Sequence, residues 1–149
     1  HHYALEALKT KKPRVVYIAY GETDDWAHDG EYDQYLWSAK QTDKYIQEIW
    51  ETLQADPFYR NKTTMLITVD HGRGITKESW KSHGADVPGA GQVWLIAIGP
   101  DTPALGEIKQ EGQWHSAMLP RTIFRLLGLE YPEAQAAQAL PWVLGEKGN

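Results

Sequence analysis

The sequence predicts an α/β fold in which helices cover a mostly parallel sheet. Three continuous apolar runs, at residues 14–20, 63–69 and 92–98, have the pattern of buried strands rather than of strands with one wet face. A long amphipathic segment separates the first two runs, and the order strand–helix–strand favours a right-handed parallel crossover. With 149 residues, of which 42% are hydrophobic, the chain is long enough to bury a core, so residues 1–149 are expected to form a single domain.

Two helices are predicted with well-marked ends. In the first, apolar side chains recur at three- and four-residue steps from Tyr32 to Leu53, and Pro57 lies just beyond it. The second covers residues 115–127, because its apolar residues share one face and Gly128 provides a stop. Both helices are expected to pack on the sheet.

The segment at residues 72–91 has neither a helical nor a strand period. A loop of this length inside a compact domain is usually functional or disordered. Residues 4–8 are typical of the end of a helix, and residues 130–149 have weak helical character.

Composition excludes several classes of function. The net charge is −5, which argues against a nucleic-acid partner. No apolar run approaches the roughly eighteen residues that a membrane span needs. Cysteine is absent, so disulfides and thiolate chemistry are excluded, while the cellular compartment stays open.

Acidic residues and histidines follow the predicted strands. Asp24 and His28 are four residues apart after the first strand, so one helical turn or a tight loop places both side chains on one face, where they suit a divalent ion. The alternative is a polar loop that caps a helix. Asp70 and His71 end the second strand, where a charge needs a partner, although a solvated turn is the alternative.

Taken together, these residues indicate a site with two metal ions. Two acidic residues and three histidines that follow strands of one sheet converge at its edge, with His83 and His115 as candidates for the third histidine. Five ligands are too many for one tetrahedral ion that keeps an open position. Two ions about 4 Å apart suit a phosphoryl displacement.

These motifs resemble the alkaline phosphatase superfamily, which includes nucleotide pyrophosphatases, sulfatases and cofactor-independent phosphoglycerate mutases. Residues 21–28 (Gly-Glu-Thr-Asp-Asp-Trp-Ala-His) and residues 68–72 (Thr-Val-Asp-His-Gly) carry the resemblance. His83-Gly84 before the apolar run that ends at residues 99–100 (Gly-Pro) is a third match, and residues 121–128 resemble the closing helix.

The resemblance implies a ligand set and a partial alkaline-phosphatase-like fold. Asp24, His28 and His83 would hold one ion, and Asp70 and His71 would hold a second. Zinc is favoured by the histidine and aspartate ligands, and manganese is the alternative. His115 falls later than the family's third histidine and is expected to be a bystander or a residue that supports the metal ligands.

The resemblance also implies that part of the active site lies outside this chain. The family's Ser or Thr nucleophile and a further metal-binding aspartate come from an earlier segment, and too few residues precede Arg14 to supply it. The chain is thus expected to be the C-terminal portion of a metal-dependent hydrolase domain, inactive alone, with the missing N-terminal segment as its partner.

The implied activity is hydrolysis of a small-molecule phosphate ester, as a phosphomonoesterase or phosphodiesterase, through a phospho-Ser or phospho-Thr intermediate. Arg73, two residues past His71, is a candidate for substrate contact. The alternatives are a phosphoglycerate mutase-like phosphotransferase, a sulfatase and a non-catalytic metal-binding module. The resemblance alone favours a periplasmic or secreted location.

Overall fold

A computed structural model gives the structure of the chain and describes residues 1–109 and 112–146. The chain divides into two compact units: the first contains His1–Arg60 and His71–Gln92, and the second contains Asn61–Asp70 and Val93–Asn149. Within the described residues, no helix has both the length and the apolarity needed to cross a bilayer.

Three helices build the first unit: α1 (His2–Lys11), α2 (Glu22–Asp29) and α3 (Tyr32–Ala55). The α3 helix confirms the long amphipathic helix that the sequence predicts. Its core side chains Ile49 and Leu53 are buried, as are Leu8 of α1 and Tyr59.

The short α2 helix begins with acidic residues and ends at a glycine. Glu22, Asp24 and Asp25 lie in its first turn, where carboxylates are favoured by the partial positive charge of the helix N-terminus. Gly30 ends the helix with a φ of 80°, a left-handed conformation in which its N–H donates to the carbonyl of Ala27.

The prediction of a strand at residues 14–20 is wrong, because this segment forms no strand in the structure. Among the described residues it pairs with no other strand, and Val15 and Tyr17 are 56% and 90% exposed. A strand needs a hydrogen-bonded neighbour, and an apolar pattern predicts burial only where another element covers it. The expected strand–helix–strand crossover is therefore not formed in the described part of the chain.

The second unit contains strands β1 (Met65–Thr68) and β2 (Leu95–Ile98). Both fall inside predicted apolar runs, and the predicted mixture of helices and strands is confirmed. The mostly parallel sheet, however, is not what the described residues form: β1 and β2 pair antiparallel, with Met65 opposite Ile98 and Thr68 opposite Leu95. A loop rather than a crossover helix joins the two strands, which is sufficient for an antiparallel pair.

The last helix, α4 (Leu119–Leu126), follows a short 3₁₀ helix at Ser116–Met118. Thr122 is fully buried, and its hydroxyl donates to the carbonyl of Met118 at 2.7 Å while accepting the N–H of Leu140 at 2.8 Å. This pairing ties the chain after α4 back to the helix. Residues 130–146 form turns and no helix, so the weak helical character predicted there is not seen in the described residues.

Candidate metal centre

The α2 helix presents the first two candidate ligands. Asp24 and His28 are one helical turn apart, and Asp24 Oδ2 lies 3.4 Å from His28 Nε2. Of the helical turn and the tight loop that the spacing allows, the structure has the helical turn. Both side chains are partly exposed, which leaves them open to an ion.

The loop at residues 71–91 brings three more polar side chains to the same place: His71, Arg73 and His83. Backbone hydrogen bonds close this loop, because Gly72 N–H donates to Ala90 O at 2.7 Å and Gly74 N–H donates to Ser82 O at 2.9 Å. A Cβ atom on Gly72 would overlap the carbonyl oxygens of Gly89 and Gln92, so glycine is required by the close approach of the backbone.

Trp80 anchors the loop to α3. Its ring centroid lies 5.1 Å from that of Tyr32 in an edge-to-face arrangement and 5.7 Å from that of Tyr35. Such aromatic pairs stabilise packing beyond the area they bury. Trp80 therefore holds in place the segment that carries His83, three residues further along the chain.

Three candidate ligands of the first unit meet at Asp24 Oδ1, and His28 lies beside them. Asp24 Oδ1 lies 3.6 Å from both His71 Nε2 and His83 Nε2, and His28 Nε2 lies 2.9 Å from His83 Nε2. Donor atoms bonded at about 2.0–2.1 Å to one tetrahedral ion are about 3.3 Å apart. The spacing and the donor chemistry of this group fit a divalent ion, and Asp24, His71 and His83 alone form a compact set of three ligands.

The hydrogen bonding of His71 supports the same interpretation. His71 Nδ1 lies 2.9 Å from the carbonyl oxygen of Gly72, and because a carbonyl only accepts, Nδ1 must carry the proton. In the neutral ring, Nε2 then presents its lone pair towards the cluster. Metal-binding histidines are commonly oriented in this way by a carbonyl on the second ring nitrogen.

Arg73 is the one residue of the cluster whose positive charge disfavours the binding of a cation. Its Nη2 atom contacts Asp24 Oδ1 in an ion pair and lies 3.4 Å from the main-chain oxygen of Asp24. The Arg73 side chain is 14% exposed, and its Nη1 atom is buried without a hydrogen-bond partner among the described residues. The sequence identified Arg73 only as a possible contact for substrate and carried no signal of its pairing with Asp24.

Two further predicted residues lie in the second unit. Asp70 follows β1 by two residues, and its place on a second ion with His71 stays a prediction. His71 itself lies with Asp24 and His83, the residues expected on the first ion. His115 precedes the 3₁₀ helix and lines a cavity of about 600 Å³ within the second unit.

Comparison with known proteins assigns the chain that carries this cluster to a family. The family model of the Metalloenzyme superfamily matches residues 1–112, a stretch that includes every residue of the cluster. The chain belongs to the Metalloenzyme superfamily. This membership confirms the resemblance to the alkaline phosphatase superfamily that the motifs carry.

A curated relative is consistent with the Metalloenzyme superfamily. The chain is 23% identical, over 92% of its length, to the 2,3-bisphosphoglycerate-independent phosphoglycerate mutase of Haloarcula marismortui, and it covers 25% of that protein. The chain thus spans about a quarter of the length of this relative. No solved structure matches the chain. Membership in the Metalloenzyme superfamily implies an enzyme family that binds divalent metal ions.

Proposed function

We propose that the chain supplies the metal-binding part of an enzyme that transfers phosphoryl groups, with hydrolysis of a small-molecule phosphate ester as its reaction. The observation that carries the proposal is the meeting of Asp24, His71 and His83 as a set of three ligand atoms, beside which His28 Nε2 lies 3.4 Å from Asp24 Oδ2 and 2.9 Å from His83 Nε2. Packing gives no reason for three imidazoles to meet at one carboxylate. Membership in the Metalloenzyme superfamily supports the binding of a divalent metal ion at these residues.

The side chains of the cluster have distinct tasks in this reaction. Asp24 supplies negative charge that favours a cation, and the hydrogen bond from His71 Nδ1 to Gly72 O orients the His71 ring in the cluster. A bound divalent ion supplies positive charge for the oxygens of the phosphoryl group. Arg73 carries N–H donors in a planar fork that matches a phosphate group.

The remaining parts of the site are proposed from the resemblance. Asp70 and His71 hold a second metal ion. Zinc occupies both metal sites in preference to manganese. The Ser or Thr nucleophile comes from a segment of the same enzyme outside these residues. The coverage of about a quarter of the curated relative supports this view. A periplasmic or secreted location belongs to the same proposal.

Metal binding by the 149-residue chain is the first test. Titration calorimetry with Zn²⁺ is expected to show binding that Asp24→Asn weakens at least about tenfold, since one charged ligand is lost. Asp25→Asn is the matched control, because it removes the same charge from the same helix at an exposed position outside the cluster. Equal effects of the two substitutions would reject the site.

A phosphoglycerate mutase-like transfer is the second candidate, and the Haloarcula marismortui relative favours it. The same cluster serves both reactions, because they differ only in the acceptor of the phosphoryl group. A longer protein that contains this chain, assayed in ¹⁸O-labelled water, separates them: hydrolysis places the label in the released phosphate, whereas transfer to a hydroxyl group does not. Inclusion of sulfate esters in the assay tests the sulfatase alternative.

A non-catalytic binding module is the remaining alternative. It predicts metal binding by the chain without turnover by any longer form of the protein. Turnover of a phosphate ester by that longer protein rejects this alternative, and a Ser or Thr to Ala substitution at its proposed nucleophile position then tests the covalent route. If the substitution leaves turnover unchanged, the covalent route is rejected.

A further inference from the structure

The pairing of Arg73 with Asp24 has a consequence for metal and substrate binding. We propose that Arg73 and a divalent cation compete for Asp24 Oδ1, so that metal binding releases the Arg73 guanidinium to bind the oxyanion of the substrate. This inference rests on the proposed function, since it concerns the same cluster. It adds an order to the binding events: the metal ion first, then the anion.

Arg73 and the candidate metal ligands meet at one oxygen atom of Asp24. Arg73 Nη2 contacts Asp24 Oδ1, and this same oxygen lies 3.6 Å from His71 Nε2 and His83 Nε2. Any ion held by these two imidazoles therefore approaches the oxygen that Arg73 already contacts. Two positive charges at one carboxylate oxygen repel each other strongly where solvent screening is reduced, and the Arg73 side chain is 14% exposed.

The other arm of the Arg73 guanidinium favours the binding of an anion. Arg73 Nη1 is buried and has no hydrogen-bond partner among the described residues. Leaving a buried charged donor without an acceptor is unfavourable, so an additional acceptor at this position is stabilising. A phosphate group offers two oxygens to one guanidinium fork and meets that need.

The backbone on both sides of Arg73 keeps its side chain within reach of both partners. Gly72 and Gly74 on either side of Arg73 are held by backbone hydrogen bonds to Ala90 and Ser82. Gly89, with a φ of 97°, lies so close to Arg73 O that a Cβ there would clash. Because the backbone is fixed on both sides, the exchange of partners requires only rotation of the Arg73 side chain.

Metal affinity of the full 149-residue chain tests the competition. Titration calorimetry with Zn²⁺ is expected to show that Arg73→Met binds the ion about tenfold more tightly than the native chain, because a competing cation is removed. Lys77→Met is the control: it removes one positive charge from the same loop at an exposed position. An Arg73→Met chain that binds Zn²⁺ no more tightly than the native chain overturns the proposal.

Arg73→Lys is a second variant that tests the competition if Arg73→Met does not fold. Lysine keeps the charge but lacks the fork, so its affinity for Zn²⁺ is expected to stay within about threefold of the native value. Circular dichroism spectra identify any variant that has not folded. An increase in affinity in Arg73→Lys as large as that in Arg73→Met contradicts competition by charge.

Binding of inorganic phosphate tests the second half of the proposal. The native chain with Zn²⁺ is expected to bind phosphate at least about tenfold more tightly than the chain in a chelator, and Arg73→Met is expected to lose this gain. Equal phosphate binding with and without Zn²⁺ overturns the order of binding.

The outcomes for the two proposals are distinct. A native chain that binds Zn²⁺ with the same affinity as Arg73→Met rejects the competition and leaves the proposed metal site intact. Absence of Zn²⁺ binding in both chains rejects the metal site and the competition together. Binding by Arg73→Met alone supports both.

Discussion

His28 Nε2 and His83 Nε2 lie 2.9 Å apart, although 55 residues separate them in the sequence. Two imidazole nitrogens at this distance either share a proton or direct both lone pairs at one cation. Their rings meet edge to face with centroids 4.9 Å apart, and His83 stacks on His71 with an interplanar angle of 11°. Asp24 adjoins all three rings, so these imidazoles and this carboxylate are the groups on which the proposed metal site depends.

The first prediction separates His83 from His115. His83→Ala is expected to lower the affinity of the chain for Zn²⁺ by at least about tenfold, since it removes a ligand atom that lies 3.6 Å from Asp24 Oδ1. His115→Ala is the matched control and is expected to leave the affinity unchanged. Titration calorimetry measures both. Loss of binding in His115→Ala, with none in His83→Ala, would reverse the assignment.

The second prediction concerns the closed loop. Gly72→Ala is expected to reduce the free energy of unfolding of the first unit by about 1–3 kcal/mol, because the added methyl group meets the carbonyl oxygens of Gly89 and Gln92. Zn²⁺ affinity falls with it, since His71 and Arg73 flank this glycine. Gly91→Ala serves as the control, because nothing lies within 4 Å of a Cβ there. Urea denaturation followed by circular dichroism would show the difference, and similar losses in both variants would contradict it.

The third prediction concerns the contact between the loop and α3. Trp80→Leu is expected to lower the free energy of unfolding by about 1–3 kcal/mol, since two aromatic pairs with Tyr32 and Tyr35 are lost. Zn²⁺ affinity should also decrease as the segment carrying His83 loosens. Trp37→Leu, at a position of α3 that is 60% exposed, is expected to change neither quantity. If Trp80→Leu matched that control, Trp80 would not be an anchor.

The fourth prediction is a pH dependence of stability that arises from Tyr59. The Tyr59 side chain is buried, and its hydroxyl lies 3.2 Å from Leu8 O and 3.4 Å from Pro13 O. Burial raises the pKa of Tyr59 above the unfolded value of 10.0. The stability that this group contributes is therefore fully present below about pH 10 and is lost as the pH rises through the folded pKa.

Tyr59→Phe measures that contribution. The substitution is expected to cost about 1 kcal/mol at neutral pH, through loss of the hydroxyl hydrogen bonding, and to flatten the decline of stability above pH 10. Tyr3→Phe, at a side chain that is 93% exposed, is expected to change neither value. Urea denaturation at a series of pH values gives both numbers. An unaltered alkaline decline in Tyr59→Phe would show that other groups cause it.

The sequence predicted the elements whose evidence is local. The helical period from Tyr32 to Leu53 appears as α3, because an apolar face every three or four residues specifies a helix wherever it is packed. The spacing of Asp24 and His28 likewise appears as one turn of α2. Both depend on residues a few positions apart, so the sequence contains all the information needed.

The prediction of a strand at residues 14–20 was wrong for the opposite reason. Its apolar pattern is clear, but a strand is defined by hydrogen bonds to a neighbour that a pattern within one segment does not identify. The same limit applies to direction: the sequence indicated β1 and β2 as strands but carried no evidence that they pair antiparallel. Pairing is a long-range property and depends on which segments are present to pair.

The sequence by itself therefore determined which residue types are available for metal chemistry, Asp24, His28, Asp70, His71 and His83, and it led to the superfamily to which the chain belongs. The tertiary structure decided which of them meet: His71 and His83 lie at Asp24, and Arg73 pairs with the same carboxylate. The physical reason is that ligand geometry and charge competition depend on distances of a few ångströms between distant segments. Those distances are set by loop closure at Gly72 and by packing at Trp80, and no local sequence pattern encodes them.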